Sequence, residues 1–225
     1  MPRALFGIYA ALGPTVLTPA ALWLWTRHFD GDVWRAAFAV GLPVAFAYVV
    51  PGIGTNLLKV WEFDVRLRLG RFRPHHGFVF GSATSLLAVA VAGPPLAHPG
   101  VAEVLSAALV MCSVLGFWNW LYDVAALRAG LLHVYNQPWS EGLGPEAVAT
   151  DYAPAFFGGF GFVYGAALRL LDFLPDSQPT FLWATAFAIA LAVSIGAPVT
   201  IYAACSWVRH GHSGCRPVLR SRTTP

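Results

Sequence analysis

The sequence predicts an all-α, polytopic integral membrane bundle of about six transmembrane helices, and three observations predict it. Hydrophobic residues make up 57% of the 225-residue chain and charged residues only 11%, whereas a soluble domain carries about a quarter charged residues. Mean hydropathy is +0.60. Apolar runs of roughly the 20 residues that a bilayer requires recur at about 4–26, 33–54, 77–98, 101–127, 154–174 and 181–207. Residues 1–208 therefore read as one transmembrane helical domain, and 209–225 as a basic cytoplasmic tail expected to be disordered.

The first run follows Arg3 and contains Pro14 and Pro19. It is too long for a signal peptide and has no small-residue cleavage site, so it reads as a helix. Lys59, Arg66, Arg68, Arg71 and Arg73 lie between the second and third runs, and Arg209, Arg216, Arg220 and Arg222 follow the sixth. The connection at His98–Gly100 has no Lys or Arg, and the one after the fifth run carries Asp172 and Asp176 beside Arg169. In the loop from Arg27 to Arg35 the bases are offset by Asp30 and Asp32. The positive-inside rule then puts both termini on the cytoplasmic side of the cell membrane.

Two carboxylates stand out. Residues 57–69 read as a helical extension at the interface, with Glu62–Arg66 and Asp64–Arg68 as i,i+4 pairs. On that helix Glu62 falls within the apolar arc of Leu58, Trp61, Val65 and Leu69, which leaves it as either a functional acid or a structural partner of Arg66. Asp64 is assigned to a solvated pair with Arg68. Further along, Asn119 and Asp123 are one helical turn apart and share a face with Cys112, Gly116, Ala126 and Gly130. Such a strip serves either close helix packing, with the polar pair as glue, or a cavity wall in which Asn119 orients Asp123. Trp118, Trp120 and Tyr122 surround the pair.

The next connection holds His133, Tyr135, Asn136, Trp139, Glu141, Asp151 and Tyr152, and Asp151 reads as the cap of a helix starting near Pro154. Gly158, Gly161 and Gly165 permit close helix approach there, while Phe156, Phe157, Phe160 and Tyr164 supply rings.

Other chemistries leave little trace. There is no GxSxG, no phosphate-binding loop of Walker type and no DDxxD-type motif. Lys59 is the one lysine and precedes an interfacial segment, which excludes a retinal Schiff base in a late helix. Cys112, Cys205 and Cys215 lack metal-type spacing and read as reduced. His75, His76 and His133, with Glu62 or Asp123, are the candidate metal ligands; adjacent histidines on a helix point about 100° apart, so one ion cannot easily take both. No nucleic-acid partner and no cofactor is expected, and the oligomeric state is left open. What remains is an apolar chamber with acids at its cytoplasmic rim, ringed by Trp61, Phe63, Trp118, Trp120, Tyr122, Phe157, Phe160 and Tyr164. Protonating an alkene or epoxide of an isoprenoid chain needs a carboxylic acid kept neutral by burial. The carbocations that follow are stabilised by ring faces, about 0.5–2 kcal/mol each.

The run Asn56-x4-Trp61-Glu62-Phe63 resembles the Asn-x2-Trp-Glu-Phe signature of the small integral-membrane terpene cyclases of fungal meroterpenoid and indole-diterpene pathways. The chain is also similar to the small bacterial membrane cyclases of indolosesquiterpene pathways. Trp61, Glu62 and Phe63 match position by position, whereas Asn56 lies two positions too far away, and the fungal members have seven spans rather than six. The resemblance implies cofactor-independent cyclisation of a prenylated or epoxidised isoprenoid drawn from the bilayer. Glu62 would be the acid or its charge partner, Asp123 the second carboxylate by role, and Asn119 the orienting group. The alternatives are a metal-dependent membrane lipid hydroxylase or desaturase using His75, His76 and His133, and a transporter or assembly subunit without catalysis.

Overall fold

The computed structural model describes residues 3–174 and 178–219. Away from water every backbone N–H and C=O must find its partner inside the segment, and the apolar runs accordingly coil into helices. In chain order the elements are α1 (Arg3–His28), α2 (Val33–Leu57), β1 (Trp61–Phe63), α3 (His76–Val91), α4 (Val101–Arg128), β2 (Leu132–Val134), the one-turn α5 (Gln137–Ser140), α6 (Pro145–Phe173) and α7 (Thr180–His210). Five of these, α1, α2, α4, α6 and α7, are long and apolar enough to span a membrane. The third expected span is shorter than its apolar run: α3 has 16 residues, about 24 Å of helix. The chain leaves it at Ala92 and passes through the positive-φ Gly93.

With the shorter α3 counted, the successive helices α1, α2, α3, α4, α6 and α7 alternate in direction, as their terminal contacts establish. At one end Arg3 donates from Nε and Nη2 to the carbonyls of Ala129 and Gly130 at 2.9 and 2.8 Å. At the other end Arg169 donates to Ala92 O and Pro94 O at 2.7 and 2.9 Å and pairs with Asp172 at 2.8 Å, while Arg35 reaches Leu174 O. The main packing is of α4 on α6 and α2 on α3. Gly161 and Gly165 lie so close to α4 that an added Cβ would collide with Met111 O and Ala107 O, which is the close approach expected of these glycines. The buried polar rings have partners: Trp25 Nε1 donates to Ser85 Oγ at 2.8 Å, and Tyr164 OH to Ala39 O at 2.6 Å.

Prolines shape the helices locally. α1 and α6 each contain a π-helical turn, Gly13–Leu17 and Pro154–Gly158, and α2 ends in one, Ile53–Leu57. Pro14 and Pro154 sit at the start of theirs and bring no N–H to the helical ladder, and the widened turn accommodates that loss.

Two expectations are corrected. Residues 57–69 are not a helix. Lys59 adopts a positive φ of 59°, and Trp61–Phe63 forms an antiparallel ribbon with Leu132–Val134 in the register Trp61↔Val134, Glu62↔His133, Phe63↔Leu132. The two-residue alternation Trp61, Phe63, Val65 is the strand signal that the competing i,i+4 charge spacing obscured. Asp151 does not cap a helix at Pro154, because α6 begins earlier, at Pro145 behind Gly144. Asp151 instead sits within that helix, pairing through Oδ1 with His210 Nε2 at 2.8 Å and Arg209 Nη1 at 3.3 Å, and accepting from Asn136 Nδ2 through Oδ2 at 3.0 Å.

The stretch assigned to a tail begins inside α7, whose last residues are Arg209 and His210. Beyond it His212 Nε2 lies 3.3 Å from Gln137 Oε1, and Val218 N donates to Tyr135 O at 2.8 Å. Asp176, Arg220 and Arg222, used above to orient the chain, lie outside the described residues.

Candidate functional site

At the end of the bundle marked by Arg3 and His210, five helices and the ribbon enclose a cavity of about 90 Å³. Each element contributes by its own periodicity. From α4 come Trp118, Asn119, Tyr122 and Asp123, at helical spacing i, i+1, i+4, i+5. Phe46, Ala47, Val50 and Pro51 repeat that spacing on α2, and His76, Val79, Phe80 and Ala83 give i, i+3, i+4, i+7 on α3. Tyr152, Phe156 and Phe157 come from α6, where the π turn lets two consecutive phenylalanines face inward, and Tyr9 comes from α1. The ribbon closes the end of the cavity with Trp61, Phe63, Leu132 and Val134.

Strand alternation then decides where Glu62 goes. Trp61 and Phe63 face the cavity, so Glu62, between them, faces the other side of the ribbon, opposite His133. Its carboxylate accepts from Tyr135 OH at 2.7 Å and pairs with Arg71 Nη1 at 3.6 Å, not with Arg66. Arg71 is itself held by backbone: its N–H donates to Asn56 Oδ1 at 2.9 Å, and its carbonyl accepts from Phe63 N at 2.9 Å. Asn56 fits there because Gly70, at φ +65°, leaves the space that a Cβ would fill. Asn56, Glu62 and Phe63 thus hold Arg71 and pin the loop after β1. Desolvation, with help from the bond and charge of Glu62, pushes Tyr135 up to about 12. Asp64 pairs with Arg68 at 3.4 Å as expected, and with Arg3 at 3.1 Å.

Asp123 has the opposite surroundings. It is 9% exposed, lines the cavity, and accepts from Tyr152 OH through Oδ2 at 2.6 Å. Among the described residues no basic side chain forms a salt bridge with it. Asn119 lines the cavity one turn away, but its Nδ2 donates back to Leu115 O at 2.8 Å, so the group that orients Asp123 is Tyr152 rather than Asn119. Aromatic rings surround the acid in contact with one another: Phe157 lies 6.4 Å from Tyr152 and 5.6 Å from Phe80, and Phe156 lies 6.0 Å from Trp61. Among the described residues His76 is the one Lys, Arg or His side chain lining the cavity, its ring 4.6 Å from that of Phe63.

The structure therefore brings Trp61, Phe63, Trp118, Asn119, Tyr122, Asp123 and Phe157 to one cavity. Four other residues singled out by the sequence lie elsewhere. Glu62 is behind the ribbon. Trp120 donates to Thr150 Oγ1 at 3.0 Å, and Phe160 and Tyr164 are fully buried packing residues stacked at 5.4 Å. His75, His76 and His133 do not converge: His75 precedes α3, where burial and Arg73 lower its pKa, His76 faces the cavity, and His133 sits opposite Glu62 on the ribbon. Among the described residues, no group of three or more His, Cys, Asp or Glu side chains is arranged to hold a metal ion.

Sequence reasoning missed Tyr152, Tyr9, Phe80 and His76 as cavity residues. The one available signal was Tyr152 with Phe156, an i,i+4 aromatic pair on one face. Comparison of the chain with protein-family models, curated proteins and solved structures gave no match.

Proposed function

We propose that the chain is an integral membrane enzyme with the cavity end on the cytoplasmic side, and that it cyclises a lipophilic isoprenoid chain, prenylated or epoxidised, by proton transfer from a carboxylic acid. The observation that carries this reading is Asp123: one carboxyl group, without a salt bridge among the described residues, bonded to a tyrosine hydroxyl and lined by aromatic rings. In its neutral form Asp123 delivers a proton to an alkene carbon or an epoxide oxygen of the substrate, leaving a carbocation. The faces of Phe80, Phe156, Phe157 and Trp61 stabilise that charge where water is excluded, by roughly 0.5–2 kcal/mol for each well-placed ring. His76 takes the proton released when the cyclised cation collapses to an alkene, and its return to Asp123 restores the site. Substrate and product are isomers, so the balance requires neither oxidant nor cofactor. Glu62 has no part in these steps; it holds Arg71 and the ribbon.

The test is product analysis in membranes containing the protein, supplied with farnesylated and epoxy-farnesylated aromatic substrates. A cyclic product of unchanged mass is expected, insensitive to chelators, with turnover reduced in His76→Gln and retained in His75→Ala. Absence of any cyclic product across these substrates would overturn the reading. A chelator-sensitive product with added oxygen would put the hydroxylase reading in its place.

A further inference from the structure

The cavity around Asp123 is too small for an isoprenoid chain. At about 90 Å³ it is below the ~150 Å³ of an engineered apolar cavity that takes up benzene. Beside it lies a larger cleft of about 400 Å³, between α1 and α4 with α3 as its floor. Cleft and cavity share four lining residues, Tyr9, Ala83, Trp118 and Tyr122, so these side chains form the boundary between two adjacent spaces. Tyr9 is fixed there by donation from its OH to Val79 O at 2.7 Å, and its ring lies 5.7 Å from that of Tyr122. No charged residue lines the cleft among the described residues, and its outer edge reaches the surface that the bundle turns to its surroundings, where Leu5 is 44% and Trp118 52% exposed.

We infer that this cleft is the binding site for the isoprenoid tail of the substrate and its lateral portal from the bilayer, with the reacting end passing between Tyr9, Ala83, Trp118 and Tyr122 to reach Asp123. The inference rests on the isoprenoid reading above and adds where the chain lies. Adjacency argues for the occupant: a ligand whose reactive end is at Asp123 extends most readily into the roomy space that shares Tyr9, Ala83, Trp118 and Tyr122 with the cavity. That space is apolar along its length and falls within the ~300–1,000 Å³ typical of small-molecule sites. The smaller cleft of about 50 Å³ on the far side, which shares Val50, Trp61 and Phe156 with the cavity, lacks the room.

A farnesylated aromatic probe with a photoreactive diazirine at the end of its tail tests this in native membranes without needing turnover. Label is expected on Leu86, Leu87 or Trp118, displaced by unlabelled farnesylated compound and not by palmitate or added phospholipid. Leu87→Trp, which fills the cleft, should remove most of the label. Ala83→Trp, which narrows the boundary, should keep it while turnover falls by roughly tenfold or more. Labelling displaced equally by acyl chains would make the cleft a site for ordinary bilayer lipid and overturn the inference, as would label beside Cys215 on the far side. Specific cleft labelling without any cyclic product would leave the tail site standing while the cyclisation reading fails. Cyclic product with label elsewhere would do the reverse.

Discussion

Glu62 and Asp123 stand at the same end of the bundle, and each accepts a hydrogen bond from a tyrosine, Tyr135 and Tyr152 respectively. Their surroundings differ in what a proton on each could do. The Glu62 side chain is 32% exposed and pairs with Arg71 at 3.6 Å, so it is a half-buried carboxyl group held by a guanidinium. Asp123 is buried, faces a cavity walled by rings, and has no cation beside it among the described residues. An ion-paired carboxylate behind a strand positions chain; an unpaired carboxyl inside a cavity can meet a substrate. Proximity in the bundle is thus not equivalence of role: a one-residue step along β1, from Trp61 or Phe63 to Glu62, turns Glu62 away from the cavity that Asp123 lines.

The largest effect should therefore come from Asp123→Asn. The amide keeps the shape and a hydrogen-bonding oxygen toward Tyr152 but carries no transferable carboxyl proton, and turnover should fall by about a hundredfold or more. Glu62→Gln should leave turnover within about twofold, since it only weakens an exposed pair worth less than about 1 kcal/mol. Both are read in membranes at matched protein level. If Glu62→Gln is as damaging as Asp123→Asn, the distinction between the two acids collapses.

Next in size is Tyr152→Phe. Its hydroxyl is the bond that orients Asp123, and loss of a bond of roughly 1.5 kcal/mol corresponds to about a tenfold fall in turnover. Because the phenol holds the acid rather than the tail, kcat should fall with KM little changed. A wild-type kcat would leave Asp123 oriented by something else in the cavity.

The contrast also explains what was legible in the sequence. The long helices were, because apolar runs of about 20 residues are the signal of a helix long enough to cross a bilayer. Asp123 and Asn119 were, because both lie on one small-residue face of a single long helix. Glu62 was misplaced for a physical reason: Glu62–Arg66 and Asp64–Arg68 have helical spacing, while the strand that overrides it is three residues long. Its pairing partner, Leu132–Val134, is far along the chain, and no local pattern announces it. Tyr152 and His76 were read as a loop residue and a candidate metal ligand. Their convergence on Asp123 depends on how α3, α4 and α6 pack, which periodicity within each helix cannot supply. Asp151 was misread because the start of α6 at Pro145 lies before the apolar run that marked the helix.

A third prediction concerns the loop that Glu62 pins. Arg71→Gln should lower the unfolding midpoint in detergent by about 2–4 °C or less, the shift that roughly 1 kcal/mol gives in a domain of this size. The double variant with Glu62→Gln should be no worse than the worse single change, because both remove one interaction. Additive losses would mean that Glu62 and Arg71 act through separate partners.

The smallest effect is the share of the alkaline pH dependence that Tyr135 contributes on the Glu62 side. Tyr135 is pushed up to about 12 by desolvation and by its bond to Glu62, whereas a tyrosine in the unfolded chain titrates near 10. The folded protein thus keeps this proton where the unfolded chain releases it. The contribution is fully present below about pH 10 and is lost as pH rises through about 12. Tyr135 is half-buried, so solvent screens the effect. Tyr135→Phe should accordingly make the fall in unfolding midpoint between pH 9 and 11 shallower by no more than about 2 °C. The same change should leave turnover at neutral pH near the wild-type rate, since Tyr135 is bonded to the carboxylate outside the cavity. An alkaline profile identical to wild type would show that Tyr135 is not held above its ordinary range by burial and the Glu62 bond together. A large loss of turnover at neutral pH would place the far side of the ribbon in the reaction after all.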